Sequence, residues 1–160
     1  TSAEQLKVIR DLGLIVETIP LTHLWLRGRQ YVGKPEAAGR AVAHRDYLDQ
    51  GIHFGLGTDN KPYSPFPTIW AAVERQERMT NEVLGPSQIL SRREALKAIT
   101  MGGAYFSFEE KCRGSLETGK LADLAVLSDD YLRIPADEIS ALHSVLTIVG
   151  GQEVYSSGAL

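Results

Sequence analysis

Hydrophobic positions along this chain change their period several times, and each change marks an element. Leu6, Ile9 and Leu12 recur at helical spacing between Ala3 and Leu12, and Gly13 supplies a left-handed stop. Leu14 to Ile19 reads as a buried strand ended by Pro20, and an irregular, glycine-bearing loop follows to about Lys34. Ala38, Val42 and Leu48 restore the helical period between Pro35 and Gln50, with Gly51 closing that helix. Gly51 to Asp59 is a second strand, and Pro62 to Pro67 form a stiff loop that could wall a pocket beyond its end. A helix is expected from Thr68 to about Met79. Ser91-Arg92-Arg93-Glu94 is a capping box that opens another, reaching about Phe106. Leu121 to Leu127 reads as a strand and Pro135 to about Leu142 as a short helix or turn. Ser144 to Val149 is a strand joined through Gly150-Gly151 to Gln152-Glu153-Val154-Tyr155 as a hairpin. Helix and strand alternating with short connections is the rhythm of a parallel βα architecture.

The second strand carries the candidate chemistry. With a two-residue side-chain period, Asp59, Gly57, Gly55 and His53 share one face, while Thr58, Leu56, Phe54 and Ile52 take the other. One face is greasy and the other hollow, which suits a strand whose carboxyl end borders a site. Two readings of Asp59 stay open on these residues alone: a rim carboxylate, or a cap for the turn formed with Asn60, Lys61 and Pro62. His53 sits roughly 20 Å below Asp59 at strand rise, so the two cannot share an ion, and a buried structural histidine is expected.

Bulk composition narrows the partners. The 160 residues carry a net charge of −3 with both signs interspersed, which offers no footprint for nucleic acid or an anionic membrane. No apolar stretch reaches the ~20 residues of a membrane span, so a soluble, cytoplasmic protein is expected. Cys112 is the lone cysteine, excluding a disulfide framework or a thiolate metal cluster. The chain opens at Thr1 with a helix already running, which suggests a further segment upstream.

Taken in order, Glu94-Ala95-Leu96 through Thr100 and Ala104, Gly114-Ser115-Leu116-Glu117-Thr118-Gly119-Lys120-Leu121-Ala122-Asp123-Leu124-Ala125-Val126-Leu127, and Val149-Gly150-Gly151-Gln152-Glu153-Val154-Tyr155 resemble the carboxyl-terminal part of amidohydrolase-superfamily enzymes. Gly57-Thr58-Asp59 before a proline-containing loop is similar to the branch that includes N-substituted formamide deformylase. The resemblance implies an α/β fold: residues 1–113 as the last βα units of a distorted (β/α)8 TIM-like barrel, and residues 114–160 as a β-sandwich portion. Leu14 to Ile19 would be the seventh barrel strand and the Asp59 strand the eighth.

It further implies a metal-dependent hydrolysis of a carbon-nitrogen bond in a small amide, formamide or cyclic amide. Asp59 would contact a divalent metal, zinc being the expected ion, and shuttle the proton, as base first and acid second. His23, on the loop after the first strand, would face substrate, and Trp25 and Tyr63 are weighed as pocket walls against ordinary packing. The family's remaining ligands, including a His-x-His pair, would lie upstream of Thr1. His23, His44, His53 and His143 are scattered, so this chain alone should hold no metal and be inactive. The competing reading is a non-catalytic fragment or interaction module whose unpaired barrel edges self-associate into a homo-oligomer.

Other polar residues receive structural expectations. His44 is placed on a solvated helix surface and His143 within the sandwich. Asp123 is expected to bond turn amides near Lys120. Arg75 and Arg78 are expected on a salt-bridged surface, with an anionic substrate group as the alternative.

Overall fold

The computed structural model describes residues 1–59 and 63–158. The first helix, α1 (Ala3–Asp11), is capped at Ser2, whose hydroxyl accepts from the Gln5 amide while Gln5 returns a bond to the Ser2 amide at 2.8 Å. Gly13 at φ 63° turns the chain into β1 (Val16–Thr18). The passage after Pro20 is helical where a loop was expected, a π-turn over Leu21–Leu26 followed by a 3₁₀ turn over Gly28–Tyr31. Pro20 begins at helical φ and ψ, and Leu21 and Leu24 are buried three residues apart, a spacing that Gly28 and Gly33 masked.

The single helix expected from Pro35 to Gln50 is two, α2 (Pro35–Ala41) and α3 (His44–Asp49). Val42 is extended between them, at φ −139° and ψ 98°. Arg75 explains the break. It is fully buried at the left-handed end of α4 (Phe66–Glu74), and its guanidinium donates to Leu84 O at 2.6 Å, Val42 O at 3.0 Å and Ala38 O at 3.3 Å. The orphan carbonyls at the end of α2 thus find donors within the protein rather than along a continuing helix. Burial pulls the Arg75 pKa down to about 10. The surface position expected of this arginine is overturned, because three carbonyls converge where no side chain but a buried fork of donors satisfies them.

Helix α5 (Arg92–Phe106) starts at the capping box as expected. Glu94 bonds the Ser91 amide at 2.8 Å and also takes Arg45 through two parallel contacts of 2.8 Å, which hold its carboxyl down to about 2. Arg92 donates to Tyr131 O and Ile134 O, and the buried Tyr131 hydroxyl, pushed up to about 12 by burial, donates back to Arg92 O at 2.8 Å. This pairing fastens α5 to the carboxyl-terminal segment.

That segment forms an antiparallel sheet in the order β3 (Leu124–Leu127), β4 (Ser144–Val149), β5 (Gln152–Ser156), with a 3₁₀ turn over Ala136–Ala141 between the first two strands. Gly150 and Gly151, at φ 58° and 80°, make the tight hairpin that two consecutive positive φ values require. Asp123 accepts the Gly150 amide at 2.7 Å, the turn-bonding role its position suggested. Lys120 turns away to Glu110 O and the Ser115 hydroxyl. His143 is exposed, where a structural place had been expected.

In the amino-terminal part, β1 pairs in parallel with β2 (Phe54–Leu56), Val16 opposite Phe54 and Thr18 opposite Leu56. The main core gathers Phe54 and Leu56 with Leu6, Tyr47, Ile69, Ala95 and Ala98, and continues to Tyr131, Ile139 and Leu142. Replacing Arg75 by Met leaves three buried carbonyls without their donor and is expected to cost about 3 kcal/mol or more. The urea midpoint of the variant, at unchanged slope, measures it.

Candidate functional site

Both parallel strands point their carboxyl ends the same way, and the two residues singled out from sequence follow those ends. The last ladder bond runs from the Gly57 amide to Thr18 O at 2.7 Å. Buried Thr68, in the first turn of α4, donates to Gly57 O at 3.3 Å and anchors the strand end from the helix side. Beyond it the chain leaves the strand conformation, and Asp59 adopts a left-handed φ of 59°. An aspartate tolerates that region better than most residues, and such positions concentrate at turns and functional sites.

Asp59 is exposed. The period-two face holds for His53, Gly55 and Gly57, but the turn takes Asp59 out of that register. Asn60, Lys61 and Pro62, the partners expected of a capping turn, lie outside the described residues.

His23 occupies the π-turn that follows β1 and is exposed there. Trp25, two residues on, meets Trp70 of α4 edge to face at 6.3 Å, so its ring packs between elements, whereas Tyr63 is 84% exposed. His53 lies at the opposite end of β2, exposed and stacked on Tyr105 of α5 at 3.9 Å, because the strand begins only at Phe54. The buried place expected for it is therefore wrong. A cleft of about 530 Å³ opens at that lower end, lined among others by Ile52, His53, Lys97, Met101 and Tyr105.

The buried histidine is His44. It was expected on a helix surface, yet it has no solvent exposure: Nε2 lies 2.9 Å from the Thr18 hydroxyl and the ring stacks on Phe54 at 5.4 Å. Thr18 also donates to Gly55 O at 3.4 Å, so one side chain ties α3 to both strands from behind the site. Its neighbours Arg45 and Asp46 gave a polar signature, but His44 opens α3 and faces the sheet. Burial first, and the Arg75 charge second, push its pKa from 6.5 down to about 3.

Sequence reasoning missed Glu17. It lies opposite Gly55 on β1 and its carboxylate lies over Gly57, where an added Cβ would collide with Oε1. The Gly55 position is likewise taken, since a Cβ there would stand 2.8 Å from the Phe106 ring. The hollow face is floored by an aromatic edge and a carboxylate. An acidic residue midway along the apolar run Leu14 to Ile19 was the signal.

For the divalent metal that the resemblance implies, the donors do not suffice. No three His, Cys, Asp or Glu side chains among the described residues come together as a metal ion needs. No helix among the described residues is long and apolar enough to cross a membrane.

The chain belongs to the amidohydrolase family, whose model matches residues 3–155. It is 35% identical over 109 residues to an N-substituted formamide deformylase of Arthrobacter pascens, covering 67% of this chain and 20% of that protein. It is 34% identical over 121 residues to a putative amidohydrolase, YtcJ, of Bacillus subtilis, covering 72% and 22%. An imidazolonepropionase of Picrophilus torridus is 29% identical over 143 residues, or 89% and 32%. The chain thus spans about a fifth of the first two relatives. In fold it is similar to an uncharacterized metal-dependent hydrolase from Pyrococcus horikoshii, with TM-score 0.71, 23% identity, 86% of this chain and 29% of that one.

The His44 environment sets a pH dependence. Because the folded pKa lies below the ordinary value of 6.5, stability is complete above about 6.5 and falls as pH drops towards about 3. His44→Gln is expected to flatten that part of the profile, measured as urea midpoint against pH.

Proposed function

We propose that this chain is the carboxyl-terminal part of a hydrolase that cleaves a non-peptide carbon-nitrogen bond in a small amide, formamide or cyclic amide, with Asp59 as its proton carrier. Family membership supports the reaction class, and the observation that carries the residue is Asp59 on left-handed backbone just past a parallel strand end, with His23 following the neighbouring strand. In this reading β1 and β2 are the last strands of a distorted (β/α)8 barrel formed by residues 1–113, and residues 114–160 belong to a β-sandwich.

Asp59 takes a proton from the water that adds to the carbonyl carbon and returns it to the departing nitrogen, so acid and amine leave with atoms balanced. His23 contacts the substrate from the adjacent strand end. A divalent metal, zinc in this reading, belongs to the complete enzyme. The donors described here do not make up its site, and the isolated chain is accordingly inactive. Among the described residues β1 and β2 pair only with each other, and their outer edges favour self-association of the isolated chain.

In the full-length polypeptide, Asp59→Asn is expected to lower kcat for an N-substituted formamide on the order of 10²-fold or more with an unchanged urea midpoint. Activity equal to that of the unaltered enzyme would remove Asp59 from the reaction.

A further inference from the structure

We infer that Glu17 is a specificity residue of this same site and that the preferred amide carries a cationic nitrogen, an ammonium or amidinium group, close to the scissile bond. The inference rests on the proposed amide hydrolysis and extends it to a substrate class.

Register carries the first step. Glu17 pairs with Gly55, so its side chain stands on the face shared with Gly55 and Gly57. From there it reaches forward along the sheet: a Cβ at Gly57 would meet Oε1 first, then Cδ at 3.1 Å and Cγ at 3.3 Å. The carboxylate is thereby carried from the level of Gly55 towards the strand end that leads to Asp59. Gly57 is the residue that admits it. On the side away from Asp59, the Phe106 ring closes over Gly55 and presents an apolar edge.

The chemistry of the group carries the second step. A carboxylate accepts hydrogen bonds and donates none. Glu17 is exposed and its side chain makes no hydrogen bond or ion pair with another described residue, although eleven arginines and six lysines occur in the chain. A carboxylate acceptor at a strand end suits a cation with several N–H donors. His23 and Asp59, which follow these strand ends, are both exposed.

The test compares, in the full-length polypeptide, an N-formylated diamine bearing a free ammonium with its neutral isostere ending in a methyl group. Glu17→Gln is expected to raise KM for the cationic amide on the order of tenfold or more, with kcat nearly unchanged and the neutral isostere unaffected. Gly57→Ala, which displaces the carboxylate, is expected to reduce the same discrimination without removing the charge. Equal changes for both amides, or none for either, overturn the assignment of Glu17. Turnover of neither amide by the unaltered enzyme overturns the amide reading itself, and this inference with it.

Discussion

The rest of the site depends on the parallel pairing of Val16–Thr18 with Phe54–Leu56. Strands this short have little cohesion of their own, and parallel pairs are slightly weaker per residue than antiparallel ones. What holds them is packing from two sides. On one face His44 bonds Thr18 and stacks on Phe54, with Tyr47 tilted against the same ring at 5.7 Å. Along the strand, Gly102 of α5 brings a helix backbone so near that a Cβ would stand 2.5 Å from Phe54 O and 2.9 Å from the Gly55 Cα. A side chain at position 102 would push the helix from the strand, and the loops that carry His23 and Asp59 would lose their common platform.

Polar clamps fix the helices that build this platform, and they share a design. Arg75 and Arg92 each give a guanidinium to main-chain carbonyls at element ends, while Arg45 joins Ile89 O to the Glu94 carboxylate. A rigid fork of donors satisfies several orphan carbonyls at once, which lysine cannot match in geometry. Each arginine joins segments distant in sequence: α4 to α2, α3 to α5, and α5 to the turn before the last strands. Their common effect is to register helices around β2 without drawing on the residues of the strand end.

The sequence was most informative where an element's signal is local. Both the Ser91 box and the Gly150-Gly151 turn are short-range patterns whose geometry needs no partner, and the structure forms both. It was least informative where a distant residue decides. The break at Val42 depends on Arg75, thirty-three residues away, and the burial of His44 depends on Thr18 across a sheet not yet formed. The same limit governs the proposed site: Asp59 and His23 were picked out by their place after strands, whereas Glu17 became visible only when register set it against glycine.

That register also gives a reason for the glycines themselves. Read alone, Gly55 and Gly57 suggested empty space beneath a ligand. Instead each gives its volume to a neighbour, Gly55 to the Phe106 ring and Gly57 to the Glu17 carboxylate. Removing a side chain from one strand is therefore a way of aiming a side chain from the next, since the acid lies along a sheet surface that any Cβ would obstruct. In the proposed barrel, where several strand ends contribute to one site, such aiming matters because two strands bound only part of the opening. In that proposal the exposure of Asp59 and Glu17 suits groups carried towards the strand ends, beyond Gly55, where α5 packs on the same face.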